Sequence, residues 1–180
     1  MTDEYEGNWI TVYSGGRFHY KNPTVDEIFI EDIAHSLSLK CRFSGHTRVF
    51  YSVAEHSMRV AELLPDRLKL VGLLHDAQEA YMPDIPRPIK VEFGLYEYEK
   101  IIEDTIRIKF GLLLTADDLA IVKVADNIML ATEARDLMST VDGWATLPEP
   151  LLGIIEPDTN HIRVEDNFLT FFSVYSRNIK

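Results

Sequence analysis

The chain has 180 residues, of which 46% are hydrophobic, and it carries a formal net charge of -11 at pH 7. This length supports one full hydrophobic core and is short for two ordinary domains, so we expect a single domain. The negative charge argues against a broad nucleic-acid-binding surface, because such a surface needs clustered Lys and Arg to neutralise phosphates. The apolar stretches are far shorter than the roughly 20 residues of a membrane span, so no membrane partner is expected.

The N-terminal segment and the cysteine content limit the expected cellular compartment and the kinds of metal site. Residues 1–8 are acidic and polar and lack the basic and then apolar order of a secretory signal, so we expect a cytoplasmic protein. Cys41 is the only cysteine, which excludes an internal disulfide and a thiolate-rich zinc site. Histidine and carboxylate side chains are left as candidate metal ligands.

The first half of the chain contains one hairpin signal and several helix signals. Alternating apolar and polar residues flank Gly15-Gly16 and predict a small β-hairpin. Thr24 and Glu27 have the spacing of a capping box and predict the start of the first helix. The predicted elements, in order, are a hairpin over 9–20, helices over 24–41, 53–64 and 67–81, and a loop over 42–52.

The second half alternates proline-containing loops with helical patterns. Three prolines over 82–90 predict a loop there, and three more predict another over 143–160. The predicted helices cover 96–110, 115–138 and 164–178. The sequence therefore predicts a mostly α fold with a small N-terminal β-hairpin.

Polar residues interrupt apolar helical patterns at three places. His56 lies in SVAEHSM, His75 and Asp76 lie in LLHDAQEA, and Asp126 lies in KVADN. Burying a charge without a partner costs several kcal/mol or more, so these groups need a salt bridge, a hydrogen-bond network or a metal ion. Two His and two Asp would give a divalent ion an N2O2 set that suits Mn, Co, Fe, Zn or Mg. For the His75-Asp76 pair taken alone, a structural contact is an equally good interpretation.

The motifs SVAEHS, HDAQEA, MPDIPRPIK and KVADN, in this order, resemble the HD-domain phosphohydrolases over roughly 30–136. More narrowly, they are similar to the branch that includes bacterial 5′-deoxynucleotidases and small phage-encoded HD hydrolases, among them dATP triphosphohydrolases. The resemblance implies an HD-domain helical bundle. It also implies that His56, His75, Asp76 and Asp126 are the ligands of a divalent metal ion, the same four residues that the helical patterns single out.

Two further carboxylates are candidates for catalysis. Glu79 follows His75 by one helical turn, and we expect it to orient or deprotonate the metal-bound water. Asp84, in the proline loop, resembles the acid of the deoxynucleotidases that handles the leaving 5′-oxygen or the nucleophile. A surface position for Glu79 and a turn-capping role for Asp84 are the alternatives.

Cations are needed because positioning and charge stabilisation dominate displacement at phosphorus. Arg42, Lys90 and Lys123 are the candidates, and solvated surface charge is the alternative for each. In the resembling enzymes an Arg followed by an aromatic residue contacts the nucleotide and the sugar, which implies this role for Arg42 and Phe43, although those relatives often carry Trp. His46, in the same loop, has no assigned role.

These residues predict an enzyme that cleaves a deoxynucleotide at its 5′ phosphate with metal-activated water. The substrate is either a monophosphate that loses orthophosphate or a triphosphate that loses tripolyphosphate. Guanosine tetraphosphate hydrolysis is disfavoured, because that branch resembles HDxxED and here Ala80 follows Glu79. The alternative is a catalytically degenerate nucleotide-binding module.

The expected organisation is one domain over 1–180. It consists of a hairpin appendage over 1–23, a catalytic helical core over 24–140, and a loop and C-terminal helix over 141–180. A homo-oligomer is expected because related enzymes often form one.

Overall fold

The computed structural model describes residues 7–83, 85–144 and 146–178. Within these ranges the chain is mostly helical and has one two-stranded antiparallel sheet, which confirms the predicted fold class at that level. The α-helices are α1 (Ile30–Leu39), α2 (Val53–Glu62), α3 (Lys69–Leu73), α4 (Arg87–Phe93), α5 (Tyr96–Lys109), α6 (Ala116–Leu137) and α7 (His161–Tyr175).

The hairpin consists of β1 (Ile10–Thr11) and β2 (Arg17–Phe18), with Ile10 opposite Phe18. Gly15 adopts φ 85° in the connecting turn, a conformation that glycine accepts without strain. The side chain of Phe18 is fully buried, and its ring stacks on Tyr81 with centroids 3.9 Å apart. The hairpin is therefore fixed to the helical body by an aromatic contact.

The first helix begins later than predicted. The capping box at Thr24 and Glu27 is present, but it opens only a 3-10 turn over Val25–Glu27. The buried Ile28 has an extended backbone, and α1 begins at Ile30. Glu27 also accepts hydrogen bonds from the backbone N and Nδ1 of His19, at 3.1 and 2.7 Å. The capping pattern therefore starts a turn that ties the hairpin to the helical body.

The prediction of one continuous helix over 67–81 is wrong. A 3-10 turn over Asp66–Leu68 leads into the short α3, and a second 3-10 turn covers Ala77–Ala80. Between them Leu74 and Asp76 have φ/ψ of -104°/7° and -108°/16°, outside the helical region. His75 and Asp76 thus lie in a bend and not in the middle of a helix.

Two other boundaries differ from the prediction. The proline loop expected over 82–90 is shorter, because α4 begins at Arg87 with a proline in its first turn, where the missing N–H has no intrahelical partner to lose. The last helix begins at His161 and not at Val164, since the Asn160 side chain caps its first turn.

The helices enclose two apolar clusters that meet at α2 and α3. One cluster joins α1, α2, α3, α5 and α7, and the other joins α2 and α3 to α6. Helix α3 lies very close to α2, since a Cβ atom on Gly72 would come within 3.0 Å of the Ala61 Cα. None of the helices in the described ranges combines the length and hydropathy needed to cross a bilayer.

Candidate metal centre

Three separate elements bring His56, His75, Asp76 and Asp126 together. His56 lies on α2, Asp126 lies on α6, and His75 and Asp76 occupy the bend after α3. The two imidazole Nε2 atoms are 3.3 Å apart, and Asp126 Oδ1 lies 3.3 Å from that of His56 and 3.8 Å from that of His75. Asp76 Oδ2 lies 3.3 Å from His75 Nε2 and 3.6 Å from His56 Nε2. All four predicted ligands therefore lie close to the point between the two imidazole Nε2 atoms.

Hydrogen bonds on the far side of each ring fix which nitrogen faces this point. His56 Nδ1 donates to Glu133 Oε1 at 2.5 Å, and His75 Nδ1 donates to the Gly72 carbonyl at 2.7 Å. An ionised carboxylate and a carbonyl can only accept, so both Nδ1 atoms must carry hydrogen. In the neutral rings the Nε2 lone pairs then point toward each other, which is the arrangement of two metal-bound histidines.

The electrostatics of the site favour a positive charge between the carboxylates. Burial favours the neutral ring of His75, but Asp76 and then Asp126 outweigh it and raise the His75 pKa to about 9. Burial likewise opposes ionisation of Asp76 and Asp126, yet the neighbouring histidines hold the pKa of both carboxyls below its usual range. A cation at this point, a proton on His75 or a metal ion, balances the two carboxylates.

The donor set fits a first-row divalent ion or Mg²⁺. Bonds of about 2.0–2.2 Å place neighbouring ligand atoms roughly 3.0–3.5 Å apart, close to the 3.3–3.8 Å separations seen here. Ligand atoms of His56, His75 and Asp126 all lie within 4.8 Å of one another. This group could hold a metal ion, and Asp76 adjoins it.

Glu133, which the sequence patterns did not single out, lies directly behind His56. Its carboxylate is fully buried and accepts hydrogen bonds from three donors. Besides His56 Nδ1, these donors are Tyr51 Oη at 2.8 Å and Arg42 Nε at 3.1 Å. Burial raises the Glu133 pKa, but Arg42 and His56 outweigh it, so the pKa is lowered and the group is charged. Its position on α6, seven residues after Asp126, is the one signal that could have found it.

Arg42 links this buried carboxylate to the candidate metal ligands. Its Nη1 lies 3.5 Å from Asp76 Oδ2, and its guanidinium carbon lies 5.3 Å from the centre of the Phe43 ring. Burial lowers the Arg42 pKa, but Glu133 and Asp76 outweigh it and raise the pKa above its usual value. Phe43 and Ser44 both adopt left-handed backbone conformations, with φ 53° and 52°. Such strain in adjacent non-glycine residues is typical of functional sites.

The Phe43 ring faces another aromatic residue that the sequence patterns did not single out. Trp144 lies with its ring centre 6.1 Å from that of Phe43. Its position in the loop after α6 has no periodic signal. His46, in the same turn as Phe43, is exposed.

Glu79 lies in the 3-10 turn after the bend and is buried. Lys90 Nζ is 3.8 Å from Glu79 Oε1 and 2.5 Å from Glu99 Oε1. Lys40 Nζ donates to the backbone carbonyls of Glu79 and Ala80, the latter at 3.2 Å. The structure thus brings Glu79 and Lys90 together in a charged cluster, while Asp84 lies outside the described residues.

Lys123 is the most exposed of the three candidate cations. Its side chain is 65% exposed, and its Nζ donates to Asp126 Oδ2 at 2.7 Å. The other oxygen of the same carboxylate faces the histidines. In this structure Lys123 therefore holds the orientation of Asp126.

A cavity of about 250 Å³ opens beside the candidate ligands. His75, Asp76 and Asp126 form part of its wall, together with Leu74 and Gln78, and residues of α3, α5 and α6 and of the loop between the last two also line it. The candidate metal position is therefore next to a space that a small molecule can enter.

Comparison with known proteins gives relatives of similar length. The chain is 46% identical over 131 residues to the uncharacterized protein YfdR of Escherichia coli, and the alignment covers 72% of each chain. It is 34% identical over 161 residues to an uncharacterized protein of Rhodobacter capsulatus, covering 80% of this chain and 82% of the relative. No family model matches the chain. Because both alignments extend over more than two thirds of each chain, the protein belongs to the family of YfdR and its Rhodobacter relative.

Proposed function

We propose that this protein is a divalent-metal-dependent phosphohydrolase of the HD type that acts on deoxynucleotides. One observation carries the proposal: two imidazole Nε2 atoms with fixed Nδ1 donors meet two carboxylates at 3.3–3.8 Å beside an open cavity. The order of the motifs around these residues resembles HD-domain phosphohydrolases. Burying these imidazoles and carboxylates is unfavourable unless they bind a ligand or form a complete hydrogen-bond network.

In this proposal His56, His75, Asp76 and Asp126 hold the ion. When bound, the ion lowers the pKa of a water and neutralises charge on the phosphate oxygens. Glu79 accepts the proton that the attacking water loses, and the ammonium group of Lys90 lies 3.8 Å from its Oε1. Arg42, whose guanidinium reaches Asp76, contacts the phosphate, and Phe43 contacts the sugar.

The substrate is either a 5′-monophosphate or a 5′-triphosphate. In both, the bond cleaved joins the 5′-oxygen to the phosphorus nearest the sugar, and water supplies the hydroxyl to that phosphorus and the proton to the 5′-oxygen, so the same ligands serve. The products distinguish them, since a monophosphate gives orthophosphate and a triphosphate gives tripolyphosphate with the free nucleoside.

The direct test is a panel of deoxy- and ribonucleoside mono- and triphosphates with added Mn, Co, Mg, Zn or Fe and a chelator control. We expect metal-dependent release of orthophosphate or tripolyphosphate from the deoxy substrates. If no nucleotide is hydrolysed with any metal, while the protein still binds the metal and a nucleotide, the function is that of a catalytically degenerate nucleotide-binding module.

Two variants separate binding of the ion from turnover. His75→Ala should lose both the metal and the activity, because it removes one of two nitrogen ligands. Glu79→Gln should keep the metal and lose about 10²–10⁴-fold in kcat, because only the proton acceptor is removed. Metal content by mass spectrometry and steady-state kinetics check both results. Loss of metal from the Glu79→Gln variant would instead make Glu79 a ligand.

A further inference from the structure

The cavity beside the candidate metal centre has an apolar wall that the proposed chemistry at phosphorus does not use. Its lining includes His75, Asp76 and Asp126. The apolar wall comes mainly from Val71, Leu74, Ile106, Leu112, Leu114 and Val122. A phosphate placed at the ligands would therefore have its attached group directed toward an apolar space.

The charges around this cavity do not match a polyphosphate chain. In the described part of the chain two cations line it, Arg107 and Lys123, and both already have carboxylate partners. Arg107 forms an ion pair with Glu103, which also lines the cavity, and Lys123 pairs with Asp126 at 2.7 Å. Since the cations are balanced by acids, a chain of phosphates would find little uncompensated positive charge there.

Gln78 gives the cavity an unused polar group. It lies in the 3-10 turn directly after Asp76 and lines the same space. Its Oε1 is buried without a hydrogen-bond partner among the described residues. Leaving such an atom unpaired costs about 1–3 kcal/mol, so a ligand that bonds to it gains affinity. An amide offers a donor and an acceptor side by side, and the edges of the nucleobases present the same pair.

We propose that this cavity binds the nucleobase of the substrate and that Gln78 hydrogen-bonds to the edge of the base. The apolar side chains cover the faces of the ring system, and the amide makes Gln78 the specificity-determining residue. The inference rests on the proposed nucleotide hydrolysis, and it identifies which part of the substrate the protein recognises away from the metal.

The test compares a nucleotide with its base-free analogue, the 2-deoxyribose 5-phosphate or 5-triphosphate. In Gln78→Leu we expect KM for the nucleotide to rise about tenfold or more, with little change in kcat, and KM for the base-free analogue to stay the same. Metal affinity should also be unchanged. An equal change for both substrates, or no change for either, would overturn the assignment.

A second variant fills the cavity from its rim. Leu119, on α6, lines the cavity and is 39% exposed, so Leu119→Trp should fold and should also raise KM for the nucleotide alone. Ile121 on the same helix is 38% exposed and lines a different groove, which makes Ile121→Trp the matched control with unchanged KM.

Binding of the four unphosphorylated deoxynucleosides, measured by calorimetry, separates this inference from the proposed function. Binding by the wild-type protein that is lost in Gln78→Leu supports the base site even if no nucleotide is hydrolysed. Hydrolysis without any effect of Gln78→Leu or Leu119→Trp would leave the proposed function standing and refute the base site.

Discussion

Glu133 is not a candidate ligand, but it contacts one directly through its hydrogen bond with His56. The carboxylate receives one hydrogen bond from His56 and two more from Arg42 and Tyr51, all in the protein interior. A carboxylate behind a metal-binding histidine fixes the ring and increases the basicity of the nitrogen that faces the ion. The same carboxylate also holds the guanidinium that reaches Asp76.

We therefore expect Glu133→Gln to weaken metal affinity by about 10–100-fold, because the amide is neutral and can present a donor to His56 Nδ1. Titration with Co²⁺ followed by visible absorption measures this affinity without any substrate. Tyr51→Phe is the control, since it removes one neutral donor to Glu133 and leaves the carboxylate in place. Equal affinity in Glu133→Gln and the wild type would contradict the role.

At the residue scale, the sequence indicated His56, His75, Asp76 and Asp126 because each interrupts an apolar pattern near a recognisable motif. Glu133 gave no such indication, since its partners His56 and Arg42 lie 77 and 91 residues away in the chain. Periodicity reports which face a residue shares within its own helix. It does not report which side chain from another helix meets it.

At the scale of elements, the contact between α2 and α3 controls where His75 lies. Gly72 has no side chain at the point where α3 meets Ala61 on α2, and its carbonyl accepts the hydrogen bond of His75 Nδ1. A short α3 that ends at Leu73 leaves the next residues free to bend toward α6. The element that seemed from its periodicity to be one long helix is therefore two short pieces with the ligands between them.

Gly72→Ala should destabilise the fold although alanine favours helices. The intrinsic helix preference gains about 1 kcal/mol, but forcing a methyl group against the Ala61 backbone costs about 1–3 kcal/mol and should leave a net loss. Urea unfolding measures the free energy difference. Gly153→Ala, where nothing lies within 4 Å of the added Cβ, is the control. A Gly72→Ala protein more stable than the wild type would disprove the close packing.

The start of α6 provides a test that depends on pH. Asp118 accepts hydrogen bonds from Arg67 and from the N and Oγ1 of Thr115, and these lower its pKa from 3.8 to about 2. Because the folded-state pKa is lowered, the stabilising contribution is complete above about pH 4 and is lost as the pH falls toward 2.

Asp118→Asn should therefore lower the thermal midpoint at pH 6 and approach the wild-type midpoint near pH 2. The difference at pH 6 should also shrink in salt, because the Arg67 side chain is 60% exposed. Asp117→Asn changes an exposed carboxylate in the same turn and serves as the control. A midpoint difference that stays constant from pH 6 to 2 would show that the charge of Asp118 does not matter.

Several elements could be predicted because their signals are local. The glycine turn of the hairpin, the Thr115 cap of α6 and the pattern of α2 all lie within a few residues of one another in sequence. The bend at His75 could not be predicted in this way. Leu74 and Asp76 leave the helical region where the His75 side chain bonds to the Gly72 carbonyl in the preceding turn. The start of α4 was also hidden, because prolines that usually break a helix are tolerated in its first turn.

At the scale of the whole molecule, the candidate centre joins parts of the chain that are far apart. His56, His75 and Asp126 come from α2, the bend after α3, and α6. Helix α2 has residues in both apolar clusters, while the bend contributes to one and α6 to the other. An ion bound here would link these elements in the folded state, and the unfolded chain would lack the site. Binding of the ion should therefore stabilise the entire fold.

We expect a divalent metal at 100 times its dissociation constant to stabilise the protein by about 2.7 kcal/mol, and a chelator to reverse the effect. Thermal unfolding with and without Mn, Co, Zn, Mg and Fe measures the shift. His75→Ala should show no shift with any of them. A shift of the same size in that variant would mean that the ion binds elsewhere.

Backbone hydrogen bonds join the two ends of the loop that contains Phe43, and they do not involve the residues at its tip. Backbone hydrogen bonds join Arg42 to Tyr51 and Val53 to Lys40, both at 2.9 Å, beside the bridge between Cys41 and Ser52. The residues between can change or increase in number while His56 keeps its place at the start of the next helix, because longer closed loops lose little stability. We therefore expect the residues between these hydrogen bonds to vary more among the relatives of this chain than the helices on either side.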